Sequence, residues 1–472
     1  MNQHLSVFDM LKIGIGPSSS HTLGPWKACR DWGKVFCGRE KSVKAINVYL
    51  YGSLALTGKG HYTDKAVVLG LSGYDPETIP LLQMQQVLDE VSQKNQLYLT
   101  KDIAIPFDIT KNICFYKDQS LPYHPNALKL EIQYEDGVID SSVYYSIGGG
   151  FIVKAGPQTK EACAALPVSA YTTAKELSEI CRKKECRISD IVLKNELIYR
   201  TESEVRSGLL RIWEVMKEAA YEGCHKEGVL PGGLNVKRRA FDMNKQLLRV
   251  HNYSTPDEWL EAMKVGGDFH KVIMRVSCIA IAVNEVNASM GRIVTAPTNG
   301  SAGVIPAVLF YYVCFSGQRV EEEDIIRFLL TAAEIGKFFK IGATISAAAG
   351  GCQAEIGVSS SMAAAALTEC LGGSPDQALM AAEIAAEHHL GLTCDPIGGL
   401  VQIPCIERNS MGAVKAITAS MIALASDPAS AKVSLDNVIK TMKETAENMH
   451  SKYKETSLGG LAVNVGVNVP EC

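Results

Sequence analysis

Helical patterns follow one another through the last two thirds of this chain and constrain its fold more than any other feature. From about Tyr171 onward, apolar residues recur with helical spacing in one segment after another. Segments such as 362–366 consist largely of small residues, which lets helices pack closely and bury nearly all of their faces. This pattern predicts an all-α domain from residue 190 to residue 472. The predicted helices span 173–182, 202–221, 268–290, 321–339, 359–370, 376–389, 412–425 and 433–450.

The first third has a different pattern. β-Branched and aromatic residues predict strands at 45–51, 128–134 and 143–147, with helical spacing between and before them. We therefore expect an N-terminal α+β domain over residues 1–165 and a linker over residues 166–189. Three consecutive glycines, Gly148–Gly150, lie inside a strand-like region and predict a bend or a close backbone contact.

Composition narrows the class of protein. A chain of 472 residues is too long for one core, so two domains are expected. With 47% hydrophobic and 21% charged residues and a net charge of −4, the chain predicts neither nucleic-acid nor membrane binding. The first six residues lack the features of a signal peptide, so we expect a cytoplasmic protein whose 14 cysteines are mostly reduced thiols.

Four of those cysteines point to a metal. Cys352, Cys394 and Cys405 lie close to glycine or proline, where the backbone can approach a bulky group, and Cys472 is the last residue. Three thiolates on a cube of four irons would leave one iron without a protein ligand. An open iron is a Lewis acid, so this arrangement predicts chemistry rather than electron transfer. A zinc enzyme with cysteine ligands is the alternative.

A second group of reactive residues lies near the N-terminus. Four hydroxyl groups surround His21 just before a predicted helix over residues 24–35. Hydroxyls and free backbone N–H groups at the start of a helix suit a carboxylate ligand. An N-cap with spare serines fits the same residues. The hydroxyl side chains belong to Ser18, Ser19, Ser20 and Thr22.

A third segment contains Lys59 and His61, with glycines on both sides of the lysine. The imidazole of His61 has the right proton affinity for a general base, and Asp64 is placed to orient the ring. A solvent-facing loop histidine is the alternative.

With these segments in view, the chain resembles the bacterial iron–sulfur L-serine dehydratases (L-serine ammonia-lyases) of the single-chain form over nearly its full length. The resemblance implies an N-terminal fold like the allosteric substrate-binding domain of some phosphoglycerate dehydrogenases, and an α-domain that carries a [4Fe–4S] cluster. It also implies a homodimer with a role in serine degradation and gluconeogenesis. The motifs that carry it are 8–22, 58–61, 230–236, 295–300 and the three cysteines, with separations of 42 and 11 residues.

The resemblance implies that L-serine is converted to pyruvate and ammonia. The open iron of the cluster, held by Cys352, Cys394 and Cys405, would assist the departure of the β-hydroxyl, while a histidine removes the α-proton. We expect His61 to be this base, with His21 as the rival. Pyridoxal phosphate is not expected, because the chain lacks a Ser-x-Lys-x-Arg-Gly-like segment.

The remaining site predictions concern the substrate and the C-terminal tail. The last sixteen residues, 457–472, are apolar and nearly uncharged, which predicts that they pack against the protein. Cys472 would then occupy the open iron until serine displaces it, although a free surface thiol is the alternative. The candidate substrate contacts are Ser18, Ser19, Ser20, Thr22, Lys59 and Asn299.

Two other functions fit parts of this pattern. One is a related iron–sulfur lyase such as a cysteine desulfidase, which a sulfide-release assay would distinguish. The other is a regulatory protein that binds an amino acid through the N-terminal fold, a reading that the three cysteines disfavour.

Overall fold

The structure, a computed structural model, describes residues 5–156, 169–248, 253–264 and 268–466. Its first part combines strands with short helices. The strands are β1 Lys12–Ile15, β2 Val43–Gly52, β3 Gln96–Tyr98, β4 Ala104–Pro106, β5 Ile113–Tyr116, β6 Asn126–Tyr134, β7 Ile139–Ser146 and β8 Ile152–Lys154. The helices are α1 Val7–Met10, α2 Gly24–Trp32, α3 Ser53–Leu56, α4 Thr63–Leu71, α5 Leu81–Lys94 and α6 Ile109–Asn112.

Five of these strands form a mixed sheet. Their order is β5-β2-β6-β7-β8, with β5 parallel to β2 and the other neighbours antiparallel. Burial alternates along most of β6, so one face of the sheet is buried against α2, which packs in turn on α4. The indole rings of Trp26 and Trp32 fill this core. The predicted α+β character of the first part is confirmed.

The second part is mostly helical, as predicted. Among the described residues, no helix combines the length and the apolar character that crossing a bilayer requires. Its helices are α7 Ala174–Lys184, α8 Ile188–Glu196, α9 Glu202–His225, α10 Ala240–Leu247, α11 Pro256–Met263, α12 Phe269–Asn287, α13 Val304–Phe315, α14 Glu322–Gly342, α15 Ala347–Gly350, α16 Ile356–Cys370, α17 Pro375–Glu387, α18 Cys405–Leu424, α19 Leu435–Asn448 and α20 Leu461–Asn464.

Helix α16 is the centre of this part. All of its residues are buried, and α13, α14, α17 and α18 pack around it. The four consecutive alanines Ala363–Ala366 carry too little side chain to keep its neighbours at a distance, so the surrounding helices approach closely. A helix made almost entirely of small and apolar residues belongs in a core, and α16 takes that place.

One strand, β9 Arg292–Thr295, departs from the prediction of an all-helical second part. It pairs antiparallel with β1, so that Lys12 lies opposite Thr295. Helix α1 packs on α14 as well, and Met10 is buried in the helical core. A Cβ at Gly16 would lie 2.0 Å from the carbonyl oxygen of Asn287, so only glycine fits at this crossing. Strand β1 thus places the residues that come after it in the sequence at the junction between the two parts of the chain.

The structure also describes the glycine triplet and residues 169–189 of the predicted linker. All three glycines of Gly148–Gly150 have positive φ, and a Cβ at Gly148 would lie 2.6 Å from the carbonyl oxygen of Ile345. The expected close backbone contact is therefore present. Within the range 166–189 the structure contains α7 and the start of α8. Leu177 and Cys181 on α7 are buried in the core of the helical part.

Candidate active site

Two buried histidines meet where the first part of the chain packs on the helical part. His21 lies in one turn of π-helix, Ser19–Leu23, and His61 lies in the turn before α4. Their rings stack with centroids 4.4 Å apart and an interplanar angle of 25°, and neither residue is exposed to solvent. Two segments far apart in the sequence therefore contribute to one site.

A hydrogen bond to Thr57 determines which nitrogen of His61 carries the proton. Nδ1 lies 2.9 Å from the carbonyl oxygen of Thr57, and since a carbonyl only accepts, Nδ1 donates. In the neutral ring Nε2 then carries the lone pair, and it has no hydrogen-bond partner among the described residues. The carboxylate of Asp64, expected to orient this ring, accepts from the backbone N–H of Lys65. His61 has the geometry of a general base.

Ser53 determines the protonation of His21 in a similar way. Its hydroxyl donates its one proton to the carbonyl oxygen of Glu455 at 2.8 Å and lies 2.9 Å from Nε2 of His21. Nε2 must therefore donate in the second bond, which leaves the lone pair of the neutral ring on Nδ1. Nδ1 lies 3.5 Å from the hydroxyl of Ser18.

Glu455 joins the two histidines from near the end of the chain. Its backbone N–H donates to the carbonyl oxygen of Cys394 at 2.8 Å. Carboxylate Oε1 lies 3.5 Å from Nδ1 of His21 and 3.7 Å from Nε2 of His61, while Oε2 has no hydrogen-bond partner within the described parts of the chain. The φ angle of Glu455 is +56°, an uncommon conformation for a residue with a side chain. Such strain clusters at functional sites.

Burial favours the neutral forms of these groups. It lowers the pKa of His61 to about 4 and lowers the pKa of His21 well below its usual range, with His61 adding to the latter effect. Burial also raises the pKa of Glu455 well above that of an ordinary carboxyl group, and the nearby carboxylate of Glu355 raises it further. At neutral pH both histidines are unprotonated, as a general base must be.

Two of the predicted ligand cysteines lie beside this group. The sulfurs of Cys352 and Cys394 and a carboxylate oxygen of Glu355 all lie within 4.8 Å of one another. A hydrogen bond from the thiol of Cys394 lowers the pKa of Cys352, and the charge of Arg408 lowers it further. The guanidinium of Arg408 donates to Sγ of Cys352 at 3.2 Å and to the carbonyl oxygen of Thr393 at 2.7 Å. These contacts favour a thiolate at Cys352.

Cys405, the first residue of α18, is the third predicted ligand. It is buried, and like Cys352 and Cys394 it is a free thiol. Burial raises the pKa of Cys405, and the charge on Cys352 raises it further, so the two sulfurs interact electrostatically. The donor set available to a metal thus comprises two buried thiols and the half-buried carboxyl group of Glu355, while Cys405 lies outside this group of atoms within 4.8 Å of one another. The predicted ligand Cys472 lies outside the described residues.

The predicted hydroxyl contacts lie around His21. Ser18, Ser19, Ser20 and Thr22 are all buried. The hydroxyl of Ser18 accepts the backbone N–H of His21 at 3.1 Å, as an N-cap would. The hydroxyl of Thr22 donates to the carbonyl oxygen of His61 at 2.8 Å and ties the two histidine segments together.

Lys59 and Asn299, the other two predicted contacts, have different surroundings. Lys59 is exposed, and its Nζ lies 5.9 Å from the centre of the ring of Phe115. Asn299 is buried, and its amide already has partners in the protein. Its Oδ1 accepts from the hydroxyl of Thr295 at 2.6 Å, and its Nδ2 donates to the carbonyl oxygen of Ile15 at 3.0 Å. Asn299 thereby joins β1 to β9.

The sequence-based prediction missed four residues of the site: Ser53, Glu355, Arg408 and Glu455. Two of them could have been identified from their spacing in the sequence. Glu355 follows Cys352 by three positions, and Arg408 follows Cys405 by three, which is the spacing of neighbours on a helix face. Ser53 and Glu455 have no such signal, because their neighbours in the site are distant in sequence.

The described part of the C-terminal tail is hydrogen-bonded beside Cys394, but its large apolar side chains are exposed, so the predicted apolar packing is absent from the described residues 457–466. The exposed side chains are Leu458, Leu461, Val463 and Val465. The hydroxyl of Ser457 donates to the carbonyl oxygen of Pro396 at 2.8 Å, and the N–H of Leu461 donates to Oδ2 of Asp395 at 2.7 Å. The other carboxylate oxygen of Asp395 accepts from Arg408 at 3.2 Å. The tail is therefore connected to the guanidinium that contacts Cys352.

The chain matches known proteins along its length. Residues 6–157 match the serine dehydratase beta chain family, and residues 183–462 match the serine dehydratase alpha chain family. An L-serine dehydratase of Streptomyces coelicolor is 46% identical, over 98% of this chain and 99% of the relative. An L-serine dehydratase of Escherichia coli K12 is 45% identical (98% and 99%), and one of Helicobacter pylori is 42% identical (97% and 98%). The resemblance seen in the sequence is thereby confirmed: the chain belongs to the serine dehydratase family of lyases, with the beta and alpha parts joined in a single polypeptide.

Proposed function

We propose that this protein converts L-serine to pyruvate and ammonia; its relatives carry the name L-serine dehydratase. The observation that carries the proposal is that a candidate base and a candidate metal site lie next to each other. Nε2 of His61, which has no partner among the described residues, lies in the same buried site as a set of free thiols. Glu455 lies between them: its Oε1 is 3.7 Å from this nitrogen, and its backbone N–H donates to the carbonyl oxygen of Cys394. Serine dehydration needs both a base for the α-proton and help for a poor leaving group.

The thiols are proposed to hold a [4Fe–4S] cluster through Cys352, Cys394 and Cys405. The donor set fits such a group, because three buried thiols without disulfide bonds lie near a guanidinium that stabilises negative charge on sulfur. When bound, the cluster would supply a Lewis-acidic iron that assists the departure of a hydroxyl group. The proposal requires no pyridoxal phosphate.

His61 is proposed to remove the α-proton of serine. Its Nδ1 is held by Thr57, so Nε2 is the atom that accepts the proton. The α-proton and the β-hydroxyl leave together as water, which produces 2-aminoacrylate. This product tautomerises to the imine and hydrolyses to pyruvate and ammonia. His21 stays the rival base, since its Nδ1 also carries a lone pair in the neutral ring.

The substrate contacts are proposed from the same neighbourhood. Ser18, Ser19 and Ser20 lie at the start of the π-helix turn, where hydroxyls and backbone N–H groups suit a carboxylate. Thr22, Lys59 and Asn299 remain proposed contacts, although Thr22 and Asn299 already bond within the protein.

Cys472 is proposed to occupy the open iron when substrate is absent. The docking of Leu461 on Asp395, next to Cys394, supports this because it brings the tail close to the thiols. Truncation of Cys472 should then change the affinity for L-serine or the lifetime of the cluster, whereas indifference in both would contradict the idea.

Three further properties are proposed from the family resemblance. They are a homodimeric state, a cytoplasmic location, and an N-terminal fold like the allosteric substrate-binding domain. The mixed sheet of β2 and β5–β8 is compatible with the last of these. Light scattering coupled to gel filtration tests the dimer directly.

Anaerobic purification followed by iron and sulfide analysis and a pyruvate assay with L-serine tests the main proposal. Cys352→Ser, Cys394→Ser and Cys405→Ser should each lose iron, visible absorbance and activity. The control Cys37→Ser, at an exposed thiol, should keep all three. Sulfide release from L-cysteine without pyruvate formation from L-serine would favour a desulfidase, and a colourless zinc protein would contradict the cluster.

A further inference from the structure

Two histidine nitrogens and the carboxyl group of Glu455 converge in the buried site. Nδ1 of His21, Nε2 of His61 and a carboxylate oxygen of Glu455 lie within 4.8 Å of one another. The protons of the neutral rings are already used, because Nε2 of His21 donates to Ser53 and Nδ1 of His61 donates to Thr57. All three converging atoms therefore present lone pairs.

Two atoms of this group have no partner in the described protein. Nε2 of His61 and Oε2 of Glu455 are buried and have no hydrogen-bond partner among the described residues, and Glu455 is only 4% exposed. Nδ1 of His21, by contrast, lies 3.5 Å from the hydroxyl of Ser18, and Oε1 of Glu455 is the carboxyl oxygen that faces the two rings. Buried acceptors without donors are costly, so native sites that keep them usually receive a ligand that donates. A ligand with several N–H donors and a positive charge fits this arrangement. Its charge would favour the ionised form of Glu455, which burial by itself disfavours.

We infer that Glu455 and His21 bind the α-ammonium group of L-serine, which leaves Nε2 of His61 free for the α-proton. This inference rests on the proposed function and specifies how the substrate is recognised. The α-carbon is one bond from the ammonium nitrogen, and His61 stacks 4.4 Å from His21, so the base lies next to the atom it must reach. Glu455 is thus a binding residue that selects amino acids over hydroxy acids.

A divalent metal is the other occupant that two histidines and a carboxylate can hold. It would coordinate the lone pair of His61 and so block the proposed base. The ammonium avoids this conflict because two of the three acceptors are enough to hold it. The two occupants differ in what they leave behind, since a metal remains in the purified protein and an ammonium does not.

The test compares two ligands that differ at the ammonium group. L-Alanine has the ammonium and no leaving hydroxyl, while 3-hydroxypropionate has the hydroxyl and no ammonium. Calorimetry should show that Glu455→Gln weakens L-alanine binding by about 30-fold or more, as expected when one partner of a buried charge pair is lost. Binding of 3-hydroxypropionate should change less than about threefold. Glu444→Gln, an exposed carboxylate on α19, is the control and should change neither affinity.

Kinetics give a second readout. Glu455→Gln should raise KM for L-serine and reduce the preference for L-serine over glycerate, in which a hydroxyl replaces the ammonium. Glu455→Asp, which keeps the charge, should restore part of the L-alanine affinity. If Glu455→Gln does not fold, His21→Gln provides the same test, which compares the loss of affinity for L-alanine with that for 3-hydroxypropionate.

Three results would overturn the inference. One is an equal loss of affinity for both ligands, which would make Glu455 a structural residue. Another is no loss of affinity for either ligand. The third is a transition metal in the purified protein, outside the cluster, that Glu455→Gln removes. Failure of the proposed function looks different, because wild-type protein would then bind L-alanine and yet form no pyruvate from L-serine.

Discussion

The carbonyl oxygen of Thr57 accepts a hydrogen bond from Nδ1 of His61 across 2.9 Å, and this bond leaves Nε2 as a buried acceptor that no described residue partners. A backbone carbonyl cannot donate, so the neutral ring has only one arrangement of its proton. The ring of His61 is therefore oriented by the main chain, whereas the sequence had predicted that the carboxylate of Asp64 orients it.

Replacing His61 with alanine should lower kcat by about 10²- to 10⁴-fold, the usual contribution of a general base. Iron content and visible absorbance should stay unchanged, because the ring does not belong to the thiol set. His450→Ala, at an exposed histidine, is the control. If His61→Ala keeps full turnover while His21→Ala is inactive, the roles of the two histidines are reversed.

The acid limb of the pH profile should reflect the lowered pKa of His61. With a pKa of about 4, Nε2 stays unprotonated as the pH falls from about 7.5 to 6. An ordinary histidine would lose about three quarters of its unprotonated form by pH 6. We therefore expect kcat/KM to fall less than about twofold over this range, measured with L-serine at constant ionic strength. A fall of fourfold with a midpoint near 6.5 would contradict the assignment.

Substitution of Gly460 should release the C-terminal tail. Gly460 has a φ of +62°, and a Cβ there would lie 2.1 Å from Oδ2 of Asp395, so Gly460→Ala strains the backbone and displaces the docked tail. Strain of this kind costs about 1–3 kcal/mol. Limited proteolysis followed by mass spectrometry should show cleavage after residue 456 at least about fivefold faster. Gly466→Ala is the control, since no atom lies within 4 Å of the Cβ it would add.

The stability of the helical part should fall in mild acid because of His389. Burial lowers the pKa of this ring to about 4, whereas the unfolded chain titrates near 6.5. Between these values the unfolded state binds more protons, so the free energy of unfolding falls as the pH falls, by at most about 1.4 kcal/mol per pH unit. This contribution is fully present above about pH 6.5.

Urea unfolding at about pH 7 and about pH 4.5 measures this effect. The variant His389→Gln should show a smaller loss of stability between the two pH values than the wild type, while His388→Gln, at an exposed ring, should behave like the wild type. Equal losses in the wild type and His389→Gln would show that other groups govern the acid sensitivity.

Much of the fold and part of the site follow from local patterns in the chain. Helix α14, predicted over 321–339, spans Glu322–Gly342, because its apolar face must be buried whatever it packs against. His21 and His61 were recognised because glycines and hydroxyls surround them. Cys352, Cys394 and Cys405 were recognised by their glycine and proline neighbours. Each of these signals lies within a few residues of the group it identifies.

Other features depend on contacts between distant segments and leave no local pattern. Strand β9 lies in a helical region and forms only because β1, far away in the chain, supplies its hydrogen bonds. Ser53 and Glu455 meet at 2.8 Å although 402 positions separate them. Burial and helix periodicity act on neighbours along the chain, so the amino-acid order alone specifies the helices and identifies the cysteine segments as candidates for a metal site. The convergence of Glu455 with the two histidines arises only when the packed parts bring their surfaces together.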